Sequence, residues 1–289
     1  MTVSVVAILS PGEMGSWLAK ALRGKGLPVI TSLEGRSPLT RLRAQEADIR
    51  DAGSLDALVQ EAGLVLSVLT PSEAVGVAGQ VAESLRRTGA KPVFVDANAI
   101  APQTVRVMSG QFSDLGTPFV DAGIAGRRIY CSGPKTDDFE SLRDYGLDIT
   151  RVGLDIGQAS GLKMLHSTTT KGTRALWLEL LLAARLMGLS DALAHELSTG
   201  GMMVTQDLID FISHEPKRSR RMIGELEEAA LTYEGLGLTP KMLDGAADMH
   251  RLISETPLAD QSPRDKDPPV DTILATLQTH LNGGVASHP

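Results

Sequence analysis

The stretch AILSPGEMGSWLAKAL, residues 7–22, decides the fold of the first half of this 289-residue chain. Gly12 and Gly15 stand where a dinucleotide-binding turn has its second and third glycines, which admit a pyrophosphate and let the helix pack closely on the strand. Ser10 and Pro11 replace the first glycine. Proline fixes its φ at about −65° and can keep the turn tight, while the serine hydroxyl can bond a phosphate. The stretch therefore predicts a strand, a ligand-binding turn and a helix.

The context of this turn supports the prediction. An apolar, strand-like run precedes it and a helical pattern follows, and a helix N-terminus offers N–H groups and a dipole that favour an anion. The alternative is a glycine-containing turn that binds no ligand. The residues predicted to hold the cofactor in this turn are Ser10, Pro11, Gly12, Glu13, Met14 and Gly15.

The two halves of the chain follow different patterns. Residues 1–156 alternate runs rich in Val and Ile, such as VSVVAIL, LVLSVLT and KPVFVDA, with helical segments. This alternation predicts a Rossmann-type α/β domain with a mostly parallel, doubly wound sheet, which RIYCSG and DITRVG extend. Residues 157–289 show no clear strand pattern. They predict an all-α domain that is entered by a long interdomain helix of roughly 30 residues.

Composition argues against several classes of function. The net charge of −7 and the pI of about 5.4 argue against nucleic acid or an anionic membrane as a partner. The single cysteine, Cys131, cannot form an internal disulfide, which suits a cytoplasmic location. The longest apolar region, residues 175–189, contains charged residues and is too short for a membrane span. The histidines show no metal-ligand spacing, so no metal is expected.

The loop after the second predicted strand bears on the identity of the cofactor. In ITSLEGRSP, Glu34 can accept a hydrogen bond from a ribose 2′-hydroxyl, whereas Arg36 and Ser37 can hold a 2′-phosphate. Arg41 completes a basic cluster in this loop. The cluster favours NADP, with NAD as the alternative, and the third interpretation is a solvated turn that contacts no cofactor.

Several further segments resemble one known family. LSPGEMG, LTPSEAV, VDANAIAPQT, FVDAGIAG and GQASGLKMLHSTTTKG are similar to segments of the β-hydroxyacid dehydrogenase and 6-phosphogluconate dehydrogenase superfamily. RRMIGELEEAALTYEGLGLTP resembles the C-terminal domain of its phosphogluconate-dehydrogenase-like branch. The resemblance covers most of the chain and implies a homodimer formed through the helical domain. It also implies cofactor contacts from Leu69, Thr70, Pro71 and Asn98.

The resemblance assigns the catalytic role to Lys163. When a hydride leaves an alcohol carbon, the hydroxyl proton must leave too, so a base is needed within hydrogen-bond reach. A lysine that is partly buried between two domains can serve as that base. The alternative is a surface lysine of the helix with no role in catalysis.

The resemblance also implies substrate contacts on the same helix. His166 and Ser167 follow Lys163 by three and four residues and share its face, and Lys171 lies two turns on, where it can neutralise an acidic substrate. The family has asparagine at the position of Ser167. The 6-phosphogluconate enzymes have a glutamate acid at the position of Thr170, and its loss argues against 6-phosphogluconate decarboxylation.

The predicted substrate loop departs from the family pattern as well. Where the family has Ser-Gly-Gly, this chain has Ala125, Gly126 and Arg127, close after Gly123. Arg127 or Arg128 can clamp a carboxylate through two parallel hydrogen bonds. The alternative is that both arginines are exposed loop residues.

Together these patterns predict an NAD(P)-dependent oxidoreductase that interconverts a small hydroxy acid, or a related alcohol, and its keto acid or semialdehyde. Lys163 is the expected general acid/base, and the expected partner is a small molecule that bears a carboxylate. Two alternatives are an imine reductase-like enzyme on the same scaffold and a non-catalytic NADP-binding module. Known imine reductases of this fold generally lack a lysine at this position, so Lys163 argues against the first alternative. The retention of Lys163 also argues against the second.

Overall fold

The computed structural model describes residues 3–199, 211–262 and 265–285. One eight-stranded sheet has the strand order β3-β2-β1-β4-β5-β6-β7-β8. Its strands are β1 (Val6–Ile8), β2 (Val29–Thr31), β3 (Arg50–Asp51), β4 (Leu64–Ser67), β5 (Val93–Asp96), β6 (Phe119–Ala125), β7 (Arg128–Ser132) and β8 (Asp148–Gly153). Neighbouring strands are parallel except β6 and β7, so the predicted mostly parallel Rossmann-type sheet is confirmed.

Helices pack on both faces of this sheet. They are α1 (Glu13–Arg23), α2 (Pro38–Glu46), α3 (Leu55–Glu61), α4 (Pro71–Thr88), α5 (Pro102–Ser113) and α6 (Asp137–Glu140). The strand β1 shows why both faces need cover, since side chains alternate between the faces. Val6 and Ile8 join one apolar core, Ala7 and Leu9 join the other, and all four are buried.

Three phenylalanine side chains cluster in one of these two cores. The rings of Phe94 and Phe112 stack with their centroids 4.2 Å apart, and Phe119 lies 5.6 Å from Phe94. The other core contains Cys131 of β7, which is fully buried. Burial raises the pKa of the Cys131 thiol to about 12. The two cores are therefore mainly aliphatic, with a phenylalanine cluster on one face of the sheet and the buried thiol of Cys131 on the other.

The described part of the second half of the chain is helical. Helix α7 (Gln158–Ser167), a π-helical segment (Thr168–Gly172) and helix α8 (Thr173–Leu186) form one continuous run, which confirms the long predicted helix. It is followed by α9 (Ser190–Thr199), α10 (Ser219–Glu234), α11 (Lys241–Ser254) and α12 (Val270–Val285). No described helix is both long and apolar enough to cross a lipid bilayer.

The chain divides into two compact units, residues 1–166 and 167–289. The division falls inside the long helical run, later than the boundary predicted at residue 156 from the loss of strand patterns. Helix α7 accounts for the difference. The first turn of α7 is hydrogen-bonded to Asp121 of β6, and it therefore packs as part of the first unit.

Candidate functional site

The glycine turn between β1 and α1 has the close packing that its sequence predicts. A Cβ on Gly15 would lie 2.3 Å from the carbonyl oxygen of Ser10, so only glycine lets α1 begin this near to the preceding chain. A Cβ on Gly12 would meet no atom within 4 Å. The N–H of Gly12 donates to the Ser10 carbonyl at 2.8 Å, and Pro11, between them in the chain, is buried. The turn is closed without its usual first glycine.

The N-terminus of α1 offers donors for an anion. Its N-cap residue is Gly12, which has no side chain to bond the first N–H groups of the helix. Glu13 is exposed, Ser10 is half-buried, and Met14 packs against the core of the sheet. Backbone N–H groups and the positive end of a helix dipole bind phosphate groups, and the open side of Gly12 leaves room for one. The turn therefore fits the pyrophosphate of a dinucleotide.

Backbone carbonyl groups hold two arginines that follow β2, Arg36 in the loop and Arg41 in the first half of α2. The guanidinium of Arg36 donates to the Leu9 carbonyl at 3.1 Å, and that of Arg41 donates to the Leu33 carbonyl at 2.6 Å. Arg36 is half-buried and Arg41 is exposed. Because Leu9 immediately precedes the glycine turn, Arg36 brings its positive charge to the edge of that turn.

The other residues of this loop have different surroundings. The Oγ of Ser37 accepts the N–H of Thr40 at 3.2 Å and so caps α2, while Glu34 is exposed. Asp51 of β3 accepts the N–H of Leu33 at 3.1 Å and is an acidic neighbour that the sequence did not single out. The hydroxyl of Ser37 is therefore used to cap α2, and the guanidinium groups of Arg36 and Arg41 are each bonded to a backbone carbonyl.

Asn98 ties together the loops that follow β4 and β5. Its amide nitrogen donates to Ser67 Oγ at 2.9 Å and to Asp96 Oδ1, and its amide oxygen accepts the N–H of Leu69. Asn98 and Asp96 are buried. Burial, together with the charge of nearby Asp121, raises the pKa of Asp96 to about 7, although hydrogen bonds from Asn98 act in the opposite direction. Asn98 thus sets the path of the predicted ribose-side loop.

That loop leads directly into a helix. Leu69 is half-buried, Thr70 is exposed and is the N-cap residue of α4, and Pro71 is the first residue of the helix. These residues follow the carboxyl end of β4, beside β1 in the sheet. In doubly wound sheets the ligand lies outside the carboxyl ends of the strands, where the strand order reverses, and this is the β1–β4 position here.

Lys163 lies on helix α7 in very close contact with strand β6. A Cβ on Gly123 would lie 2.9 Å from the Cβ of Lys163 and 2.8 Å from the carbonyl oxygen of Ala159, so only glycine allows the helix to lie here. Gly123 is in the second half of β6, toward its carboxyl end, and Lys163 is half-buried. The first unit alone therefore places Lys163 near the sheet edge that holds the glycine turn.

A buried carboxylate anchors the start of the same helix. Oδ2 of Asp121 accepts the N–H groups of Gly157 at 2.8 Å, Ala159 at 3.0 Å and Ser160 at 3.1 Å. The hydroxyl groups of Ser132 and Ser160 donate to its Oδ2 and Oδ1 at 2.8 and 2.5 Å. The side chain of Asp121 is inaccessible to solvent. Asp121 was not among the predicted site residues, although an aspartate in an otherwise apolar strand was a visible signal.

The predicted substrate loop is a tight turn between two strands. Residues 119–125 form β6, and a two-residue turn, Gly126 and Arg127, leads into β7 with Ala125 paired to Arg128. Gly126 has a φ of 65°, which a tight hairpin turn requires. Arg127 is exposed, and its guanidinium lies 4.5 Å above the ring of Trp17. The loop is thus shortened to this two-residue turn, because the pairing with β7 continues β6 through Ala125, and its contact with a substrate stays a prediction.

The substrate residues predicted on the long helix have contrasting environments. His166 is half-buried and is the last residue of the first unit. Ser167 is buried and accepts a hydrogen bond from Lys171 Nζ at 3.0 Å. Lys171 is only 6% exposed, and its Nζ lies 2.8 Å from a carboxylate oxygen of Glu225. The charge of Lys171 is compensated inside the helical unit, and its role toward a substrate stays a prediction.

A second group of titratable side chains lies beside this pair, and none of its members was among the predicted site residues. Arg174 donates to Glu215 Oε1 at 3.1 Å, and His250 Nε2 lies 3.5 Å from Glu215 Oε2. Burial raises the pKa of Glu215. Burial and the charges of Lys171 and Arg174 lower the pKa of His250 to about 4. His250 is therefore neutral in the folded protein at neutral pH. Among the described residues, no group of three or more His, Cys, Asp or Glu side chains could hold a metal ion.

Comparison with known proteins agrees with this architecture. Residues 5–131 match the NAD binding domain of 6-phosphogluconate dehydrogenase, and residues 184–253 match a family described as a domain of unknown function, DUF1932. A conserved protein of unknown function, reported to be structurally similar to 3-hydroxyacid dehydrogenases, is 31% identical with a TM-score of 0.65. The match covers 89% of this chain and 100% of that protein.

Two further relatives span most of the chain. An uncharacterized 28.5 kDa protein of Methanothermus fervidus is 28% identical over 260 residues, which are 86% of this chain and 99% of that protein. The 3-hydroxyisobutyrate dehydrogenase of Mycobacterium tuberculosis, whose structure contains L-serine, is 17% identical with a TM-score of 0.68 and shares the fold. That match covers 96% of this chain and 100% of the enzyme.

The chain therefore belongs to the β-hydroxyacid dehydrogenase and 6-phosphogluconate dehydrogenase-like superfamily. Its first unit contains an NAD(P)-binding domain, and the coarse prediction of an oxidoreductase-family protein is confirmed.

Proposed function

We propose that this protein is an NAD(P)-dependent oxidoreductase that interconverts a small hydroxy acid and its keto acid or semialdehyde, with Lys163 as the general acid/base. One observation carries the proposal. The contact with Gly123 holds Lys163 toward the carboxyl end of β6, on the edge of the sheet at which a dinucleotide binds. A half-buried lysine at that edge is within reach of a substrate beside the nicotinamide.

Different residues of the first unit would bind different parts of the cofactor. The open face of Gly12 and the N-terminus of α1 would hold the pyrophosphate. The guanidinium groups of Arg36 and Arg41 would meet the 2′-phosphate, which supports a preference for NADP. Asn98 would support the ribose-side loop through the N–H of Leu69. When bound, the cofactor supplies the hydride acceptor or donor.

Lys163 would move the proton that accompanies the hydride. In the oxidising direction, the amine of Lys163 would take the hydroxyl proton of the alcohol while the alcohol carbon loses its hydrogen as hydride. The O–H and C–H bonds break, and the C–O single bond becomes a C=O bond. In the reducing direction the ammonium returns that proton to the developing alkoxide. Exposed Arg127, stacked on Trp17, is a candidate partner for the substrate carboxylate.

The proposal is tested by turnover of L-serine and 3-hydroxyisobutyrate with NADP+ and NAD+, followed by the absorbance of the reduced nicotinamide. Lys163→Ala should lower kcat by about 100-fold or more, because general acid/base catalysis contributes that much. The affinity of this variant for the cofactor, measured by calorimetry, should stay within about twofold of wild type, because the residues proposed to bind the cofactor are unchanged. Undiminished turnover by Lys163→Ala would refute the role of the lysine.

The same assays separate the alternatives. Reduction of a cyclic imine without turnover of any hydroxy acid would support an imine reductase-like enzyme. Cofactor binding without turnover of hydroxy acids or imines would support a non-catalytic module. Binding of neither NADPH nor NADH would contradict the proposal at its first step.

A further inference from the structure

Asp121 is a buried carboxylate that joins two elements distant in the sequence. It lies on strand β6, and the backbone groups that it binds belong to Gly157 and to the first turn of α7, 36 to 39 residues further along the chain. Its two oxygens accept five hydrogen bonds, three from backbone N–H groups and two from the hydroxyl groups of Ser132 and Ser160. An isolated carboxylate would be costly to bury, and these donors offset that cost.

The donors are those that a helix leaves without partners. The first N–H groups of an α-helix have no intrahelical acceptor, and an acid near them is also favoured by the helix dipole. In α7 the acceptor comes from a neighbouring strand, whereas an ordinary N-cap comes from the adjacent residue. Gly157, whose N–H donates to Asp121, adopts a φ of +101°, a conformation that favours glycine where the chain turns into the helix. The strand thereby fixes where the helix begins.

The residue two positions along the same strand fixes how closely the helix lies. Side chains two apart on a strand project to the same face, so Asp121 and Gly123 both face α7. The absent side chain of Gly123 admits Ala159 and Lys163 to distances that any Cβ would forbid. Lys163 follows Ser160 and Ala159 by three and four residues, which places it one helical turn beyond the anchored N–H groups.

We infer that Asp121 is the positioning residue for Lys163: it anchors the first turn of α7, with Gly123 as the surface on which the next turn rests. Asp121 contacts neither substrate nor cofactor in this assignment. It sets the position and direction from which the side chain of Lys163 starts. The inference rests on the proposed function for its catalytic consequence, but the positional relationship can be measured without turnover.

The decisive variant is Asp121→Asn, which keeps the shape of the side chain and removes its charge and one acceptor. We expect kcat to fall about 10- to 100-fold, since a displacement of about 1 Å in a reacting group has effects of that size. The dissociation constant of NADPH should stay within about twofold of wild type, because the glycine turn is untouched. A loss in kcat with unchanged cofactor binding separates positioning from general destabilisation.

A second readout reports on Lys163 itself. Acetylation of lysines by an N-hydroxysuccinimide ester, quantified by peptide mass spectrometry, should change in rate at Lys163 in Asp121→Asn, while exposed Lys91 keeps its rate. Gly123→Ala should give the same signature without any change of charge, because its methyl group would displace α7. Ser54→Ala is the matched control, since it removes an N-cap from α3 in the same unit. It should alter neither kcat nor the reactivity of Lys163.

The outcomes are separable. Folded Asp121→Asn with wild-type kcat and wild-type reactivity at Lys163 would overturn the inference, as would a lower kcat with unchanged reactivity at Lys163. If Asp121→Asn does not fold, Ser132→Ala removes one donor to the carboxylate and is judged by the same two readouts. If the wild type turns over no hydroxy acid, the proposed function fails. The acetylation rate then decides the positional relationship alone.

Discussion

The guanidinium of Arg36 donates a hydrogen bond to the carbonyl oxygen of Leu9, 3.1 Å away, and so links the loop after β2 to the residue before the glycine turn. Arg36 is proposed to meet the 2′-phosphate of NADPH, which NADH lacks. Arg36→Ala should therefore weaken the binding of NADPH far more than that of NADH. A hydrogen bond to a charged group contributes about 1.5–3 kcal/mol, which corresponds to about a 10- to 100-fold rise in the NADPH dissociation constant. Calorimetric titration with both cofactors measures the difference, with exposed Arg86→Ala as the control.

An equal loss of affinity for NADPH and NADH would show that Arg36 acts on the shape of the turn through Leu9. In that case its charge does not recognise a 2′-phosphate.

Substitution by alanine should affect the two glycines of the turn in different ways, one in stability and the other in cofactor binding. Gly15→Ala places a methyl group against the carbonyl oxygen of Ser10 and should lower the free energy of unfolding by about 1–3 kcal/mol, as overpacking does. Gly12→Ala meets no atom within 4 Å and has an ordinary extended φ, so its stability should be unchanged. Its methyl group enters the space of the pyrophosphate, and its affinity for NADPH should fall. Urea unfolding and cofactor titration of both variants decide the matter.

Asp96 should make the protein less stable as the pH rises. Its pKa is about 7 in the folded protein against 3.8 in the unfolded chain, so the folded state holds the proton more tightly. The free energy of unfolding should fall between about pH 4 and pH 7 by up to about 4 kcal/mol, at 1.36 kcal/mol per pKa unit. Asp96→Asn removes this titration, and its stability relative to wild type should increase across that window. Exposed Asp114→Asn should run parallel to wild type, and parallel behaviour of Asp96→Asn would contradict the assignment.

His250 should act in the opposite direction on the acid side. Its pKa is about 4 when folded against 6.5 when unfolded, so the unfolded chain binds the proton more readily. The free energy of unfolding should fall as the pH drops from 6.5 toward 4, by up to about 3 kcal/mol. The raised pKa of nearby Glu215 opposes this trend, and the comparison of wild type with His250→Phe isolates the histidine. Thermal unfolding at several pH values, with exposed His195→Gln as control, should show a flatter profile only for His250→Phe.

A homodimer formed through the helical unit is the expectation that the family resemblance supplies. Met242 and Leu176 are 81% and 60% exposed and line an apolar groove of about 440 Å³ in this unit. Sedimentation should give twice the chain mass of 30.6 kDa for the wild type. Met242→Glu should shift the equilibrium toward the monomer, because a charge in an apolar interface is unfavourable. Val107→Glu, at a 77% exposed position of the other unit, is the control. A monomeric wild type would contradict the expectation.

The elements that local sequence encodes were predicted well. The glycine turn depends on neighbours within a few residues, and the buried strands are continuous apolar runs. The predicted alternation of strands and helices missed β3 and α2. β3 consists of two exposed polar residues, Arg50 and Asp51, and α2 buries only Ala44, so neither shows an apolar pattern.

The residues around Lys163 illustrate what the sequence could not give. Its place on a helix after a glycine-rich turn was visible, but the anchor at Asp121 depends on groups 36 to 39 residues away. The same holds for Arg174 and Glu215, which are 41 residues apart. Contacts of this kind arise when the chain folds back on itself, and a single sequence carries no local pattern for them.

The buried thiol of Cys131 can serve as a chemical probe of unfolding. It is the only cysteine in the chain, it is fully enclosed by the sheet, and a pKa of about 12 keeps it from forming thiolate at neutral pH. A thiol reagent such as Ellman's disulfide should therefore stay colourless with the native protein and develop colour only as molecules open. The rate at which the colour develops would measure how often the central sheet opens. A bound dinucleotide should slow that rate.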